Sequence, residues 1–211
     1  MKQNYHLLMQ KEIEYTKTLP QKPTLLLHAC CAPCSSAVLE VLAEHFDITI
    51  FFYNPNISPK SEFDYRLDEL YRLLVEMNLS QIRIVAPDYD ENEFFDIAKG
   101  NEHLPEGGAR CKDCYRLRLE KTAEYAKNGG FDYFTTTLSV SPYKNAQALN
   151  EIGSELSEKY GVKYLLSDFK KGDGYKRSCQ LSRDFNLYRQ NYCGCVYSKT
   201  QAEERYKNNG I

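Results

Sequence analysis

The segment Thr24-Leu25-Leu26-Leu27-His28-Ala29-Cys30-Cys31-Ala32-Pro33-Cys34-Ser35-Ser36 begins as an apolar run and turns within a few residues into a cluster of thiols and hydroxyls. Apolarity that is continuous rather than alternating marks a strand covered on both faces, the habit of parallel sheets. Ile48 to Tyr53 (ITIFFY) reads the same way, and shorter β-type runs lie at Ile82–Val85, Asp132–Thr137 and Lys163–Leu166. Helical patterns separate them. One puts Phe63, Leu67, Leu70, Leu74 and Met77 on a single face after a Ser61-x-x-Asp64 start; another carries Leu119, Ala123 and Ala126 up to Gly129-Gly130; a third presents Leu149, Ile152, Leu156 and Tyr160 before Gly161.

This β-α alternation predicts a three-layer α/β fold: a mostly parallel sheet with helices on both faces. Ligands of such sheets bind beyond the carboxyl ends of the strands. Three polar or reactive segments follow predicted strands directly: Ala29–Ser36, Asn54-Pro55-Asn56, and Leu138–Asn145 (LSVSPYKN). Topology therefore brings them to one rim, the expected active edge. The chain reads as a single domain over 1–211, with a core at about 24–166. From about 167 to 211 an extension carries a short helical face (Leu181, Phe185, Tyr188) and Cys193-Gly194-Cys195, and is expected to fold back over that rim.

Lys and Arg number 27 against 29 Asp and Glu, a formal charge of −2 over 211 residues, so the chain has no global basic field for gripping nucleic acid. It contains no apolar run of membrane-spanning length, and its first 15 residues hold no apolar signal core, so a cytoplasmic location is expected.

Eight cysteines stand out, grouped as Cys30/Cys31/Cys34, Cys111/Cys114, Cys179 and Cys193/Cys195. A chain long enough to build a core and without an export signal does not need a disulfide framework; CC, C-x₂-C and C-x-C groups in that setting point to metal or redox chemistry. The first group sits at a strand end opening a helix, where backbone N–H groups favour thiolates. The second follows Glu106-Gly107-Gly108-Ala109-Arg110, where Arg110 either faces an anion or is solvated. Cys30, Cys31, Cys111 and Cys114 together offer four sulfurs from two loops. Such a set suits an iron–sulfur cluster, with structural zinc as the alternative, although a CC pair fits a zinc ribbon poorly. Cys193-Gly194-Cys195 suits either a labile disulfide relay, its ring relieved by glycine, or ligation of a second metal. Cys34 is a further candidate ligand or a packed thiol, and Cys179 stands alone.

Tyr143 and Lys144 are candidates for a proton donor and an anion holder, or for a helix cap. Between Lys170 and Arg189 lie six basic residues (Lys170, Lys171, Lys176, Arg177, Arg183, Arg189) and two acidic ones, with Tyr175 and Tyr188 among them. That run is either a solvated face or an RNA contact.

HACCAPC, FFYNPNI, PEGGARCKDC, TTLSVSPYKN and YCGCVYS, in this order from about Leu25 to Ser198, resemble the cobalamin-independent epoxyqueuosine reductase QueH family. The resemblance implies reduction of the cyclopentane epoxide of epoxyqueuosine in tRNA to the alkene of queuosine, with an external electron donor. It implies a [4Fe-4S] cluster on Cys30, Cys31, Cys111 and Cys114, and a redox-active disulfide-forming pair in Cys193 and Cys195. An additional mononuclear iron near Cys34, Cys193 and Cys195 is also implied. The fold would be similar to the adenine-nucleotide α-hydrolase type, without its glycine-rich ATP loop. Two other readings are an ATP-dependent tRNA-modifying enzyme of the PP-loop type and a zinc-binding RNA module.

Overall fold

The computed structural model describes residues 3–208. Five strands, β1 (Thr24–His28), β2 (Asp47–Phe51), β3 (Arg83–Val85), β4 (Tyr133–Thr136) and β5 (Lys163–Tyr164), form one sheet in the order β3-β2-β1-β4-β5, with every pairing parallel. The chain builds outward from β1 to β3, then crosses back to place β4 on the other side of β1. The gap between β1 and β4 is thus a topological switch point, where open parallel sheets leave a crevice.

Leu25, Leu26 and Leu27 are all fully buried because the sheet is covered on both sides. Leu25 and Leu27 pack with the helices α1 (Tyr5–Thr16), α2 (Ala32–Leu42) and α3 (Lys60–Glu76), through Met9, Leu39 and Leu70 among others. Leu26, one residue out of phase, packs with α5 (Ala109–Asn128) and α6 (Ala146–Tyr160), through Leu119, Ala123 and Leu149. Both faces of β1 are therefore core, as its continuous apolarity requires. The remaining helices are α4 (Asn92–Ala98), α7 (Gly174–Asp184) and α8 (Val196–Asn208). Among the described residues no helix is long and apolar enough to cross a membrane.

Several element boundaries differ from the sequence reading. Ser61 does not start α3; Pro59 caps it, its carbonyl accepting from the N–H groups of Glu62 and Phe63 at 2.9 and 3.3 Å. Phe185 and Tyr188 lie past the end of α7, where Phe185 N–H closes the last turn on Leu181 and Tyr188 N–H donates to Glu69 at 3.0 Å. Helix endings at Gly129 and Gly161 fall where expected, Gly161 in the left-handed conformation at φ 72°.

Candidate thiol site at the carboxyl edge of the sheet

Three strand ends are locked together just before the first cysteines. His28, fully buried, donates from Nε2 to the Tyr53 carbonyl at 3.2 Å, so its Nδ1 accepts from the Thr136 hydroxyl at 2.8 Å. Burial, then the charge of Arg118, pushes the imidazole pKa down to about 3, so the ring is neutral. Asn54 adds a bond from its side-chain amide to the Ala29 carbonyl at 2.8 Å. The chain leaves this clamp and turns at Cys31, whose extended backbone caps α2, with Pro33 in a first-turn position that lacks nothing by having no N–H.

The turn gathers Cys30, Cys31 and Cys34 with their sulfurs all within 4.8 Å of one another, a spacing one ion can bridge. The Cys30 and Cys31 sulfurs are 3.7 Å apart. Crowded thiols divide their proton affinities. Cys31, hydrogen-bonded by Cys30 and Cys34 and facing Arg66, is held well below the usual thiol range; Cys30, donating to Cys31, is pushed up to about 12.

Cys111 and Cys114 occupy the first turns of α5. Gly107, at φ 90°, aims its N–H at the Cys111 sulfur at 3.2 Å, an arrangement a side-chain residue would strain to adopt. The extension brings Cys193 and Cys195 beside them: Gly194 accepts from Ser58 N–H at 3.1 Å and the Cys193 carbonyl accepts from Arg66 Nη1 at 3.1 Å. Cys111, Cys114, Cys193 and Cys195 line a cavity of about 10 Å³, room for one water at most. Burial pushes Cys114 up to about 12. Burial would also raise Cys193, but Lys144 and Arg118 outweigh it and hold that thiol below its usual value; Cys195, buried and next to Cys193, is raised. All eight cysteines are free thiols, so Cys193 and Cys195 form no disulfide here.

A larger cavity of about 440 Å³ opens above the switch point, with Cys30, Cys34, Arg118, Lys144 and Cys193 among its lining residues. Lys144 is buried and donates to Glu106 at 2.9 Å, whereas Tyr143 is 73% exposed at the mouth. The cap of α6 is neither of them but Asn145, which accepts from Ala148 N–H at 3.1 Å.

The other singled-out residues fall differently. Arg110 is not solvated: it is 1% exposed, its Nη1 donates to the carbonyls of Asn101, Glu102 and Leu104, and it lines the small cavity with Cys111, Cys114, Cys193 and Cys195. Lys170 pairs with Asp168 at 2.6 Å and Arg177 with Glu40 at 2.6 and 2.8 Å, while Lys171 and Lys176 are exposed. Cys179 lies on α7 and lines neither cavity. The sequence reading missed Arg66 and Arg118. Both are 1% exposed beside the sulfurs, and their only advance sign was a helical spacing that put them on inward faces.

A parallel sheet with buried thiols converging on a cavity at its switch point defines a doubly wound α/β protein with a polythiol site. The family model described as Epoxyqueuosine reductase QueH matches residues 25–201. Similar curated proteins carry the same name: one from Streptococcus pyogenes serotype M1 is 42% identical over 198 residues (92% of this chain, 78% of that protein). Another from Thermotoga maritima is 38% identical over 184 residues (87% and 94%). The chain belongs to the epoxyqueuosine reductase QueH family. In fold it is similar to a predicted tRNA methyltransferase subunit from Methanocaldococcus jannaschii (TM-score 0.53, 12% identity, 90% of each chain). It is also similar in fold to the U34-tRNA thiolase NcsA from Methanococcus maripaludis, solved with its [4Fe-4S] cluster (TM-score 0.50, 15% identity, 95% of this chain and 73% of that one).

Proposed function

We propose that the chain is an oxidoreductase that removes the epoxide oxygen of epoxyqueuosine in tRNA and leaves the alkene of queuosine. The observation that carries this is the family match over residues 25–201, which takes in all eight cysteines. A cytoplasmic site of action follows from a tRNA substrate.

The reaction takes up two electrons and two protons and releases one water. A dithiol that closes to a disulfide supplies the two electrons: with Cys193 as thiolate, the Cys195 S–H bond breaks and one S–S bond forms, the second proton comes from the Lys144 ammonium, and an external donor returns two electrons and two protons. Cys193 and Cys195 suit that role. Cys193 faces the large cavity, the two thiols differ in acidity in opposite directions, and Gly194 at φ 129° permits the tight turn. Lys144, buried at the same cavity wall, is positioned to hold Cys193 as thiolate and to give a proton to the leaving oxygen. Tyr143 is the exposed rim residue against which a base can rest.

Cys30, Cys31, Cys111 and Cys114 would hold a [4Fe-4S] cluster, and an additional iron would take ligands among Cys34, Cys193 and Cys195. The donor set fits: the ligands are soft sulfurs from two helix starts, and buried guanidinium N–H groups beside them have no partner. Bound there, iron supplies one-electron transfer and a Lewis acid for the epoxide oxygen.

Anaerobic purification with metal and sulfide analysis and Mössbauer spectroscopy, followed by assay on epoxyqueuosine-containing tRNA, tests this reading. Iron, sulfide and alkene formation are expected. Zinc without iron and no turnover would overturn it in favour of a zinc-binding RNA module.

A further inference from the structure

Arg66, Arg110 and Arg118 are each 1% exposed, on the two helices that wall the thiol site. Taking a guanidinium out of water costs several kcal/mol unless opposite charge and hydrogen bonds compensate. Arg66 has Glu62, at 2.8 Å from its Nε. Arg110 and Arg118 have no carboxylate within 4.0 Å among the described residues. All three keep buried N–H groups without an acceptor: Nη2 of Arg66, Nε and Nη2 of Arg110, and Nη2 of Arg118.

Tyrosine rings offset part of the cost (Arg66 over Tyr192 at 5.4 Å, Arg110 over Tyr197 at 4.6 Å, Arg118 over Tyr115 at 5.9 Å), but the unfilled N–H groups leave the arrangement better suited to an anion than to the polypeptide alone. Arg118 is its centre. It lines both cavities, touching the Cys30/Cys34 side in one and the Cys111/Cys114/Cys195 side in the other. Its Nε is tethered to the Cys114 carbonyl at 3.1 Å, so the head is held among the sulfurs.

We propose that Arg118, supported by Arg110 and Arg66, is the counter-charge of the metal–thiolate centre: a positioning residue that balances the loaded site and raises its reduction potential. The inference rests on the iron–sulfur reading above. A fixed positive charge in a poorly screened site stabilises the more reduced, more negative state.

The test uses the full chain, before and after anaerobic cluster loading, as wild type, Arg118→Met and Arg118→Lys. In an EPR-monitored redox titration, Arg118→Met is expected to lower the reduced-to-oxidised ratio at fixed potential at least tenfold, about 59 mV for one electron, and Arg118→Lys to stay near wild type. Thermal melting supplies the second readout. Unloaded Arg118→Met should melt no lower than unloaded wild type, because it loses an uncompensated charge, and should gain less on loading. Loading lost in Arg118→Met but kept in Arg118→Lys supports the proposal equally. An unmoved potential in loaded Arg118→Met overturns it. So does an equal loss in both variants, or an unloaded Arg118→Met that melts well below wild type, which would mark a structural residue. A wild type that takes up no iron–sulfur centre sinks the function reading itself and this inference with it; the other negative outcomes leave that reading intact.

Discussion

A buried lysine is costly unless something holds its charge, and Lys144 has Glu106 on one side and Cys193 on the other. The pairing separates Cys193 from Cys195 in acidity although only one glycine divides them in sequence. Replacing Lys144 with Met removes the strongest influence holding Cys193 down, so the pH profile of Cys193 alkylation by iodoacetamide, read in a Cys195→Ser background, should move to higher pH. Its rate at neutral pH should fall severalfold. An unchanged profile would remove Lys144 from the thiol's environment. Arg110, beside the same cavity as Arg118, carries a second, structural task. Its Nη1 donates to three loop carbonyls ahead of α5, of which Asn101's also accepts from Leu104 N–H and Leu104's from Gln201, so Arg110→Met should cost about 1 kcal/mol in urea unfolding. Neither role was visible in the sequence, because the same residue types on exposed helix faces look alike until the neighbours are known.

Elements place these residues through a few contacts that sequence patterns record unevenly. The His28 bonds tie the ends of β1, β2 and β4 at the point where the cysteine turn begins. Because folding holds this ring neutral with its pKa depressed to about 3, the unfolded chain binds a proton the folded chain does not between that value and the ordinary histidine pKa near 6.5. The contribution is therefore full above about pH 6.5 and is lost as pH falls toward 3. Urea midpoints measured from pH 7 to 4.5 should fall more steeply for wild type than for His28→Asn, and parallel curves would contradict this. Gly153 is a second such contact: a methyl group there would meet the Tyr164 ring at 2.4 Å, where α6 lies on β5. Gly153→Ala should lower stability by about 1–3 kcal/mol, seen as a lower melting temperature. The central strands, α3, α5 and α6 were legible because apolar runs and 3.6-residue spacing report burial directly. Helix α4 was not, being only seven residues long, nor was α1, whose polar composition gives it a weak apolar stripe.

Across the whole molecule, the rim was readable from topology: segments following β1, β2 and β4 had to meet at one edge. Which sulfurs lie nearest one another was not, since it depends on how the extension returns. The charge reading also divides once contacts are known. Arg177 and Lys170 are engaged with acidic neighbours away from the cavity, whereas Arg189 and Arg205 line it with Tyr143, Arg205 also pairing with Glu106 at 3.5 Å. An Arg189→Glu/Arg205→Glu chain should therefore bind tRNA at least tenfold more weakly at moderate salt, with a shallower dependence of log K on log salt. Equal loss in Lys171→Glu/Lys176→Glu would move the docking surface to the face of α7 instead.

The flanking strands β3 and β5 contribute three and two residues, with Arg83 and Lys163 leading them, and Lys163 is held by Glu12 at 2.6 Å. An open sheet normally offers its unpaired backbone to passing chains, and long flat borders are where amyloid-like stacking starts. Here each border ends before a foreign segment could find a register, and a cation meets it first. Chain concentrated for spectroscopy is thus expected to stay free of thioflavin-positive fibrils.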